Sequence, residues 1–133
     1  MAERVAAQYG PTNPRAPLNP RAVRYSSVVE LVPEMERKYR ELHAAVWPEV
    51  VVAIKKANIT DYFIHRAELN GHSYLFSSFT YVGEDFAADM KKISEDETTR
   101  DKWWPITNAC QQRLPGTPEG EQWMPLEQLM HIP

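Results

Sequence analysis

The chain has 133 residues, of which 43% are hydrophobic and 25% are charged, and its formal net charge is −3. This length and composition fit one globular domain with a real core, and they exclude two large domains. The slightly acidic balance argues against a nucleic-acid or membrane partner, and the single cysteine excludes an internal disulfide or a thiolate metal cluster. A small neutral ligand is the better expectation.

The first 23 residues predict an arm rather than part of a domain. They contain four prolines and scattered arginines but no apolar run. Such a composition cannot bury a core, so we predict a disordered, Pro-rich arm at 1–23 and a single domain at 24–133. No segment resembles a secretory signal or reaches the length of a membrane span, which predicts a cytoplasmic protein.

The domain opens with a strand followed by a long helix. The β-branched run Tyr25–Val32 predicts a strand that ends at Pro33. Apolar residues at three- and four-residue steps then predict an amphipathic helix over Glu34–Ala57. Pro48 lacks a donor and constrains the residue before it, so we expect a kink or a restart there.

Three polar aromatic residues follow one seam of this helix. Tyr39, His43 and Trp47 are spaced four residues apart and run from the apolar stripe toward its edge. A phenol, an imidazole and an indole aimed at one place suit a polar ligand pocket. Spacing alone favours a different interpretation, in which they are core side chains with one satisfied polar atom.

Two further strands are predicted as a hairpin. The segments Ile59–Leu69 and His72–Val82 are rich in aromatic and β-branched residues, and Asn70-Gly71 joins them. Asn-Gly between two such runs is the strongest short signal for a tight hairpin turn. The two strands should therefore be adjacent and antiparallel.

This hairpin carries apolar side chains on both faces. Strict alternation places Tyr62 and Ile64 on one face of the first strand, and Ile59, Phe63 and His65 on the other. Two helices can cover only one face of a sheet. We therefore predict that the second apolar face meets another subunit in a homodimer.

The remaining segments complete the pattern of elements. They predict a helix over Glu84–Ile93, a helical segment over Arg100–Arg113, a loop over Leu114–Pro125 and a last strand over Leu126–Ile132. The order β-α-β-β-α-β is the ferredoxin-like pattern. The predicted fold class is therefore α+β, with a ferredoxin-like protomer.

Common catalytic signatures are missing from the sequence. The five glycines are scattered singly, the four histidines lack a paired metal-ligand spacing, and there is no nucleophile elbow. What remains is a pocket of rings, hydroxyls and one imidazole. Trp103 and Trp104 add an adjacent pair, of which one member is commonly core and the other is free to form a platform, although the pair alone favours core or interface.

These motifs together resemble the L-rhamnose mutarotase family. The residues that carry the resemblance come in this order: Tyr39, His43, Trp47-Pro48-Glu49, Asp61-Tyr62-Phe63-Ile64, Trp103-Trp104. The resemblance covers about residues 25 to 133. It implies a small dimeric α+β barrel of ferredoxin-like protomers, and an isomerase that interconverts the α and β anomers of a deoxysugar without a cofactor.

The predicted site consists of one imidazole, two phenols and three indoles, from His43, Tyr39, Tyr62, Trp47, Trp103 and Trp104. We expect the imidazole to be the principal general acid/base and the phenols to position or relay protons. The indoles are expected to bind the sugar, with one of the adjacent pair stacked on its apolar face. No metal is expected in this site.

The sugar and the reaction have stated alternatives. The chain ends Leu129-Met-His-Ile-Pro133 where family members have an aromatic-rich strand, and Pro105 stands where a basic residue is more common. L-rhamnose leads, with L-fucose or another neutral sugar as alternatives. The same scaffold also hosts cofactor-free monooxygenases and haem-degrading enzymes, in which His43 or His65 would be an axial ligand, and a non-catalytic sugar-binding module is the second rival.

Overall fold

A computed structural model describes residues 22–132, and the structural statements below concern these residues. The predicted arm lies outside the described residues except for its last two positions. Of these, Val23 already belongs to the first strand. Within residues 22–132 no helix has the length and apolar character needed to cross a membrane.

The protein is an antiparallel sheet with helices packed on one face. Its elements are β1 (Val23–Leu31), a 3₁₀ turn (Pro33–Met35), α1 (Glu36–Ala44), α2 (Pro48–Lys56), β2 (Ile59–Leu69), β3 (His72–Tyr81), α3 (Phe86–Glu95), a π-helical turn (Thr99–Trp103), α4 (Trp104–Ala109), β4 (Gln111–Gln112) and β5 (Met124–Pro125). The strand order is β2-β3-β1-β4, and β5 also pairs with β1. This is the ferredoxin-like arrangement, so the predicted fold class and hairpin are confirmed.

The predicted long helix is two helices. The first ends at Ala44, and Trp47 has φ −59° and ψ 135°, the extended backbone that a residue before proline favours. Pro48 then occupies the first turn of α2, where its missing N–H leaves no bond unmade. The expected interruption at Pro48 is confirmed. It leaves Tyr39 and His43 on α1 and places Trp47 between the two helices.

Strand β2 contains a bulge between Thr60 and Phe63. Asp61 lies in the bulge with φ +49°, a left-handed conformation that Asp tolerates better than most residues because its short side chain can bond locally. A bulge inserts one extra residue into one strand of a pair. The alternation of side chains between the two faces is therefore reversed on either side of it.

This reversal corrects the predicted faces of β2. Ile59 pairs with Tyr81 and Ile64 pairs with Ser77, which share one face of β3, so Ile59 lies on the same face as Tyr62 and Ile64. The prediction that grouped Ile59 with Phe63 and His65 is wrong because it assumed an unbroken strand. The bulge thus places Ile59, together with Tyr62 and Ile64, on the face that the helices cover.

Two clusters form the core between this sheet face and the helices. The first consists of Val29, Leu31, Tyr39, Leu75 and Cys110. The second consists of Ala57, Ile59 and Ile93. Burial raises the pKa of the fully buried Cys110 thiol, which fits the structural role expected of a cysteine in such surroundings.

The segment Arg100–Arg113 is helical only in part. A π-helical turn leads into α4, where Pro105 lies in the first turn as expected. The helix ends at Ala109, and the next residues form β4, which pairs with the end of β1. A two-residue strand gives too short a pattern to be seen in the sequence.

The predicted last strand over Leu126–Ile132 is wrong. Within the described chain this segment is not a strand, and its place beside β1 is taken by the short strands β4 and β5. The backbone N–H of Leu126 donates to the carbonyl of Ser26 in β1 at 2.9 Å. The large apolar side chains near the end of the segment Leu126–Ile132 are exposed: Leu129 by 63%, Met130 by 59% and Ile132 by 70%.

Candidate active site

Tyr39 and His43 lie one turn apart on the inner face of α1 and stack against each other. Their ring centroids are 3.9 Å apart and the planes differ by 21°. Nδ1 of His43 is 2.9 Å from the backbone carbonyl oxygen of Tyr39. Because a carbonyl only accepts hydrogen bonds, Nδ1 carries the proton of the neutral ring, and Nε2 is left as the acceptor.

The surroundings of His43 favour the neutral imidazole. Burial lowers its pKa from the ordinary value of 6.5, and the bond to the Tyr39 carbonyl opposes this shift in part. Burial disfavours the charged form because the interior solvates it poorly. At neutral pH the ring is therefore a base that can take up a proton through Nε2.

The two phenols of the site stay protonated. Burial and the neighbouring Tyr62 raise the pKa of Tyr39 well above its usual range, and a hydrogen bond from Gln111 lowers it in part. Burial of its hydroxyl also raises the pKa of Tyr62, although 43% of that residue is exposed. Both groups are suited to donate hydrogen bonds rather than to act as phenolates.

Two adjoining cavities open beside these residues, with volumes of about 410 and 400 Å³. They share the side chains of His43, Tyr62, Ile64 and Trp103. The rest of the first cavity is mainly aliphatic, and it also includes Lys55 and Asp61.

The rest of the second cavity is polar and aromatic: Tyr39, Trp104, Thr107, Asn108, Gln111, Gly120, Gln122 and Trp123. None of its lining residues in the described chain is an aspartate, glutamate, lysine or arginine. It holds the imidazole, both phenols and the adjacent tryptophans together. Neutral hydrogen-bonding groups and ring faces of this kind suit a small polyhydroxylated ligand.

The three predicted tryptophans take different positions. Trp103 is 6% exposed, lies 5.3 Å from the His43 ring and lines both cavities. Trp104 lines the second cavity and also packs against the second core cluster. Trp47 lies edge-on to Trp103 at 5.0 Å and is not among the residues that line either cavity. The structure thus brings five of the six predicted residues to one cavity, and the sixth, Trp47, contacts Trp103 without lining either cavity.

The second cavity also contains residues that sequence reasoning missed. Thr107 and Asn108 lie three and four residues after Trp104 on α4, so helical spacing from the tryptophan pair could have found them. Gln111 and Gln122 carry no such signal. They come from β4 and from the loop after it, and only the tertiary fold brings them together.

The titratable groups of the site do not form a metal centre within the described chain. Residues 22–132 contain no group of three or more His, Cys, Asp or Glu side chains placed to hold a metal ion. Of the two histidines weighed as haem ligands, only His43 faces the cavity that holds the phenols, because His65 lies on the opposite face of β2. The arrangement offers one titrating imidazole supported by two hydroxyl groups.

Known proteins resemble this chain along the whole domain. A family model described as L-rhamnose mutarotase matches residues 24–132. An L-rhamnose mutarotase from Sinorhizobium fredii is 30% identical over 110 residues, covering 82% of this chain and 97% of that protein. One from Lactiplantibacillus plantarum is 27% identical and covers 83% and 98%.

A crystal structure of an L-rhamnose mutarotase from Formosa agariphila aligns with a TM-score of 0.48 and 21% identity, covering 83% of this chain and 94% of that one. The family assignment depends on the sequence matches alone. The family model spans most of the chain, and the Sinorhizobium relative is matched over nearly its full length. The chain therefore belongs to the L-rhamnose mutarotase family.

Proposed function

We propose that this protein interconverts the α and β anomers of L-rhamnose. Membership of the family supports an isomerase acting on the anomeric carbon over the monooxygenase, haem and binding-module alternatives. The observation that carries the proposal is the second cavity, where a neutral imidazole, two protonated phenols and three indoles face one space. These groups match what anomer exchange requires.

Mutarotation is a sequence of balanced proton transfers. The anomeric hydroxyl loses its proton, the bond between C1 and the ring oxygen breaks, and the ring oxygen gains a proton, which gives the open-chain aldehyde. Rotation about C1–C2 and the reverse transfers close the ring with either configuration. Nε2 of His43 is the group that accepts the anomeric proton and later returns it.

Tyr39 and Tyr62 assist by hydrogen bonding and relay. Their raised pKa values disfavour a free phenolate. A phenol in a relay gives its proton to the ring oxygen while it regains one from a neighbour, so no phenolate has to form. One well-placed acid/base group contributes about 10² to 10⁴ in rate, which is enough for a reaction that already proceeds in water.

The tryptophans bind the sugar in this proposal. Trp103 and Trp104 offer ring faces to the apolar face of the sugar, and their contacts leave the polar groups free for the hydroxyls. Trp47 contributes to binding through its edge-on contact with Trp103, which fixes the orientation of that ring. The site requires no cofactor and no metal ion.

The test is saturation-transfer NMR at the H1 signals of L-rhamnose, with L-fucose and D-glucose measured beside it. We expect faster exchange for L-rhamnose, and a loss of about 10²-fold or more in His43→Ala because the acid/base group is removed. His72→Ala is the matched control, since His72 is exposed next to the hairpin turn. Full activity in His43→Ala would contradict the assigned role.

The other sugars and a hemin control separate the alternatives. Enhanced exchange for L-fucose alone would change the substrate and keep the reaction. Sugar binding without exchange would favour the binding module, and a Soret shift with hemin would favour the haem alternative.

We further propose the context in which the enzyme works. The partner is a small neutral monosaccharide, with no nucleic acid or membrane, and the protein is cytoplasmic. The domain, whose first strand begins at Val23, acts as a homodimer. The dimer is supported by exposed apolar residues on the sheet face away from the helices, such as Phe63, which is 49% exposed.

A further inference from the structure

The bulge in β2 places an extra residue next to Tyr62. Asp61 and Tyr62 together lie opposite one residue of β3, Phe79, because the pairing of the two strands shifts between Thr60 and Phe63. Asp61 is the first residue of this pair, and its φ is +49°. A bulge whose first residue has a left-handed backbone is the type that glycine usually forms. Here an aspartate forms it.

The extra residue decides which face of the sheet carries Tyr62. Ile59 is 3% exposed, belongs to the second core cluster and pairs with Tyr81. Along an unbroken strand, residues an odd number of positions apart point to opposite faces. Tyr62 follows Ile59 by three positions, so an unbroken strand with Ile59 in the core would direct the Tyr62 ring away from the helices. With the bulge, both side chains lie on the face that the helices cover.

Tyr62 reaches the proposed site from this position. Its side chain lines both cavities, and its ring centroid lies 5.5 Å from that of Phe79. His43 lines the same two cavities from α1. The bulge therefore brings the phenol of the strand to the space that holds the imidazole of the helix.

The strand is fixed on both sides of the bulge. Ile59 is held in the core on one side, and on the other side the pairing continues in register from Phe63 to the turn at Asn70-Gly71. A change in the backbone of Asp61 is therefore absorbed by residues 61 and 62 themselves. If residue 61 became extended, it would take the place opposite Phe79, and Tyr62 would become the extra residue.

We propose that Asp61 is a positioning residue, whose left-handed backbone in the bulge aims the Tyr62 hydroxyl into the cavity that binds the sugar. The role rests on the proposed mutarotase function. It belongs to the backbone of Asp61, whose side chain lines the first cavity and not the second. Residues that tolerate a left-handed backbone should therefore replace Asp61.

Substitutions at residue 61 separate the backbone from the carboxylate. Asn and Gly accept a left-handed backbone, whereas the β-branched Val strongly disfavours it. We expect Asp61→Asn and Asp61→Gly to keep kcat for L-rhamnose within about twofold, and Asp61→Val to lower it by about tenfold or more because the phenol leaves the cavity.

Asn70→Val is the matched control for the cost of the backbone. Asn70 has φ +54° in the hairpin turn and lines neither cavity. The same side chain is thus forced into the same kind of backbone outside the site. Asn70→Val should lower the urea midpoint and leave kcat unchanged.

A second comparison asks whether Asp61 acts through Tyr62. Tyr62→Phe removes the hydroxyl and keeps the ring. Asp61→Val should lower kcat much less in the Tyr62→Phe background than in the unaltered protein, because the group that it displaces is already gone. A loss of the same size in both backgrounds would mean that Asp61 acts elsewhere, and it would overturn the proposal.

The position of the ring can be followed without activity. Nuclear Overhauser contacts between the rings of Tyr62 and Phe79 should be present in the unaltered protein and in Asp61→Gly, and absent in Asp61→Val. If Asp61→Val does not fold, Asp61→Ala replaces it, with a smaller loss in kcat of about threefold because Ala lacks the β-branch.

Three results would overturn the positioning role: full kcat in Asp61→Val or Asp61→Ala, a loss of kcat in both Asp61→Asn and Asp61→Gly, or ring contacts that persist in Asp61→Val. An unaltered protein that shows the ring contacts but exchanges no sugar would overturn the mutarotase function instead.

Discussion

At the scale of single residues, the bond from Nδ1 of His43 to the Tyr39 carbonyl leaves Nε2 as the ring nitrogen that can accept a proton. The partner lies on the same helix, four residues earlier, so the geometry is built into α1 itself. A rotation of the imidazole would break both this bond and the stacking on Tyr39. The helix thus supplies the base, its tautomer and its orientation.

The lowered pKa of His43 predicts the acid limb of the rate profile. The protonated ring cannot accept the anomeric proton, so activity should be constant above neutral pH and fall as the pH decreases. We expect the midpoint below 6.5, the ordinary value for histidine. Exchange rates for L-rhamnose between pH 5 and 8 measure it, and His72→Ala should leave the midpoint unchanged. A midpoint above 6.5 would contradict the buried, neutral imidazole.

At the scale of elements, one carboxylate ties a strand to two helices. Asp89 of α3 is 4% exposed and accepts from the Tyr81 hydroxyl at 2.5 Å and from the Lys92 ammonium at 2.8 Å. It also accepts from Asn58, just beyond α2, at 2.9 Å. The hydrogen bonds from Lys92, then Tyr81 and Asn58, lower its pKa to about 2. The ends of β3 and α2 are therefore fixed against α3 by an ionised group.

This arrangement predicts acid sensitivity of the fold. The unfolded chain, with a pKa near 3.8, binds the proton more readily than the folded protein. The stabilisation should be complete above about pH 5 and should be lost as the pH falls from about 4 to about 2. Urea midpoints across this range measure it. Asp89→Asn should lower the midpoint at pH 7 and flatten this dependence, whereas Glu95→Gln on the exposed side of α3 should do neither.

Local chemistry explains which elements were predictable. The turn Asn70-Gly71 has φ values of +54° and +81°, the positive angles that this residue pair favours, so the hairpin could be read from the sequence. Pro48 ends one helix and starts the next for equally local reasons. The bulge at Asp61 left no comparable signal, and the faces of β2 were therefore misassigned at Ile59.

Non-local pairing explains what the sequence could not show. The segment Leu126–Ile132 has a strand-like pattern, but its pairing depends on which sheet edge remains free, and β4 and β5 occupy that edge. In the site, too, residues placed by local spacing were predictable and residues placed by non-local pairing were not. The seam from Tyr39 to His43 was predicted from helical spacing, whereas the hydrogen bond between Gln111 and Gln122 joins residues 11 positions apart across a loop.

At the scale of the whole molecule, the sheet face away from the helices predicts a dimer. Phe63 lies on this face with 49% of its surface exposed, and Phe76 and Tyr74 lie on the same face of β3. An exposed apolar sheet face of this kind is typical of a subunit interface. Light scattering should give twice the 15.4 kDa chain mass.

A charge on that face should separate the subunits. We expect Phe63→Glu to shift the mass to that of one chain, because it would bury a carboxylate in the interface. Val52→Glu is the matched control, since Val52 is also 49% exposed but lies on α2. A monomeric unaltered protein at micromolar concentration, or a Phe63→Glu variant that remains dimeric, would contradict this prediction.

The uncharged lining of the second cavity has a consequence for the form of sugar that can enter. A phosphorylated sugar would have to shed the water around its phosphate and would meet no lysine or arginine among the lining residues of the described cavity. A free sugar loses only hydroxyl hydration, which amides, hydroxyls and the imidazole can replace. The second cavity is thus suited to a sugar that carries no phosphate.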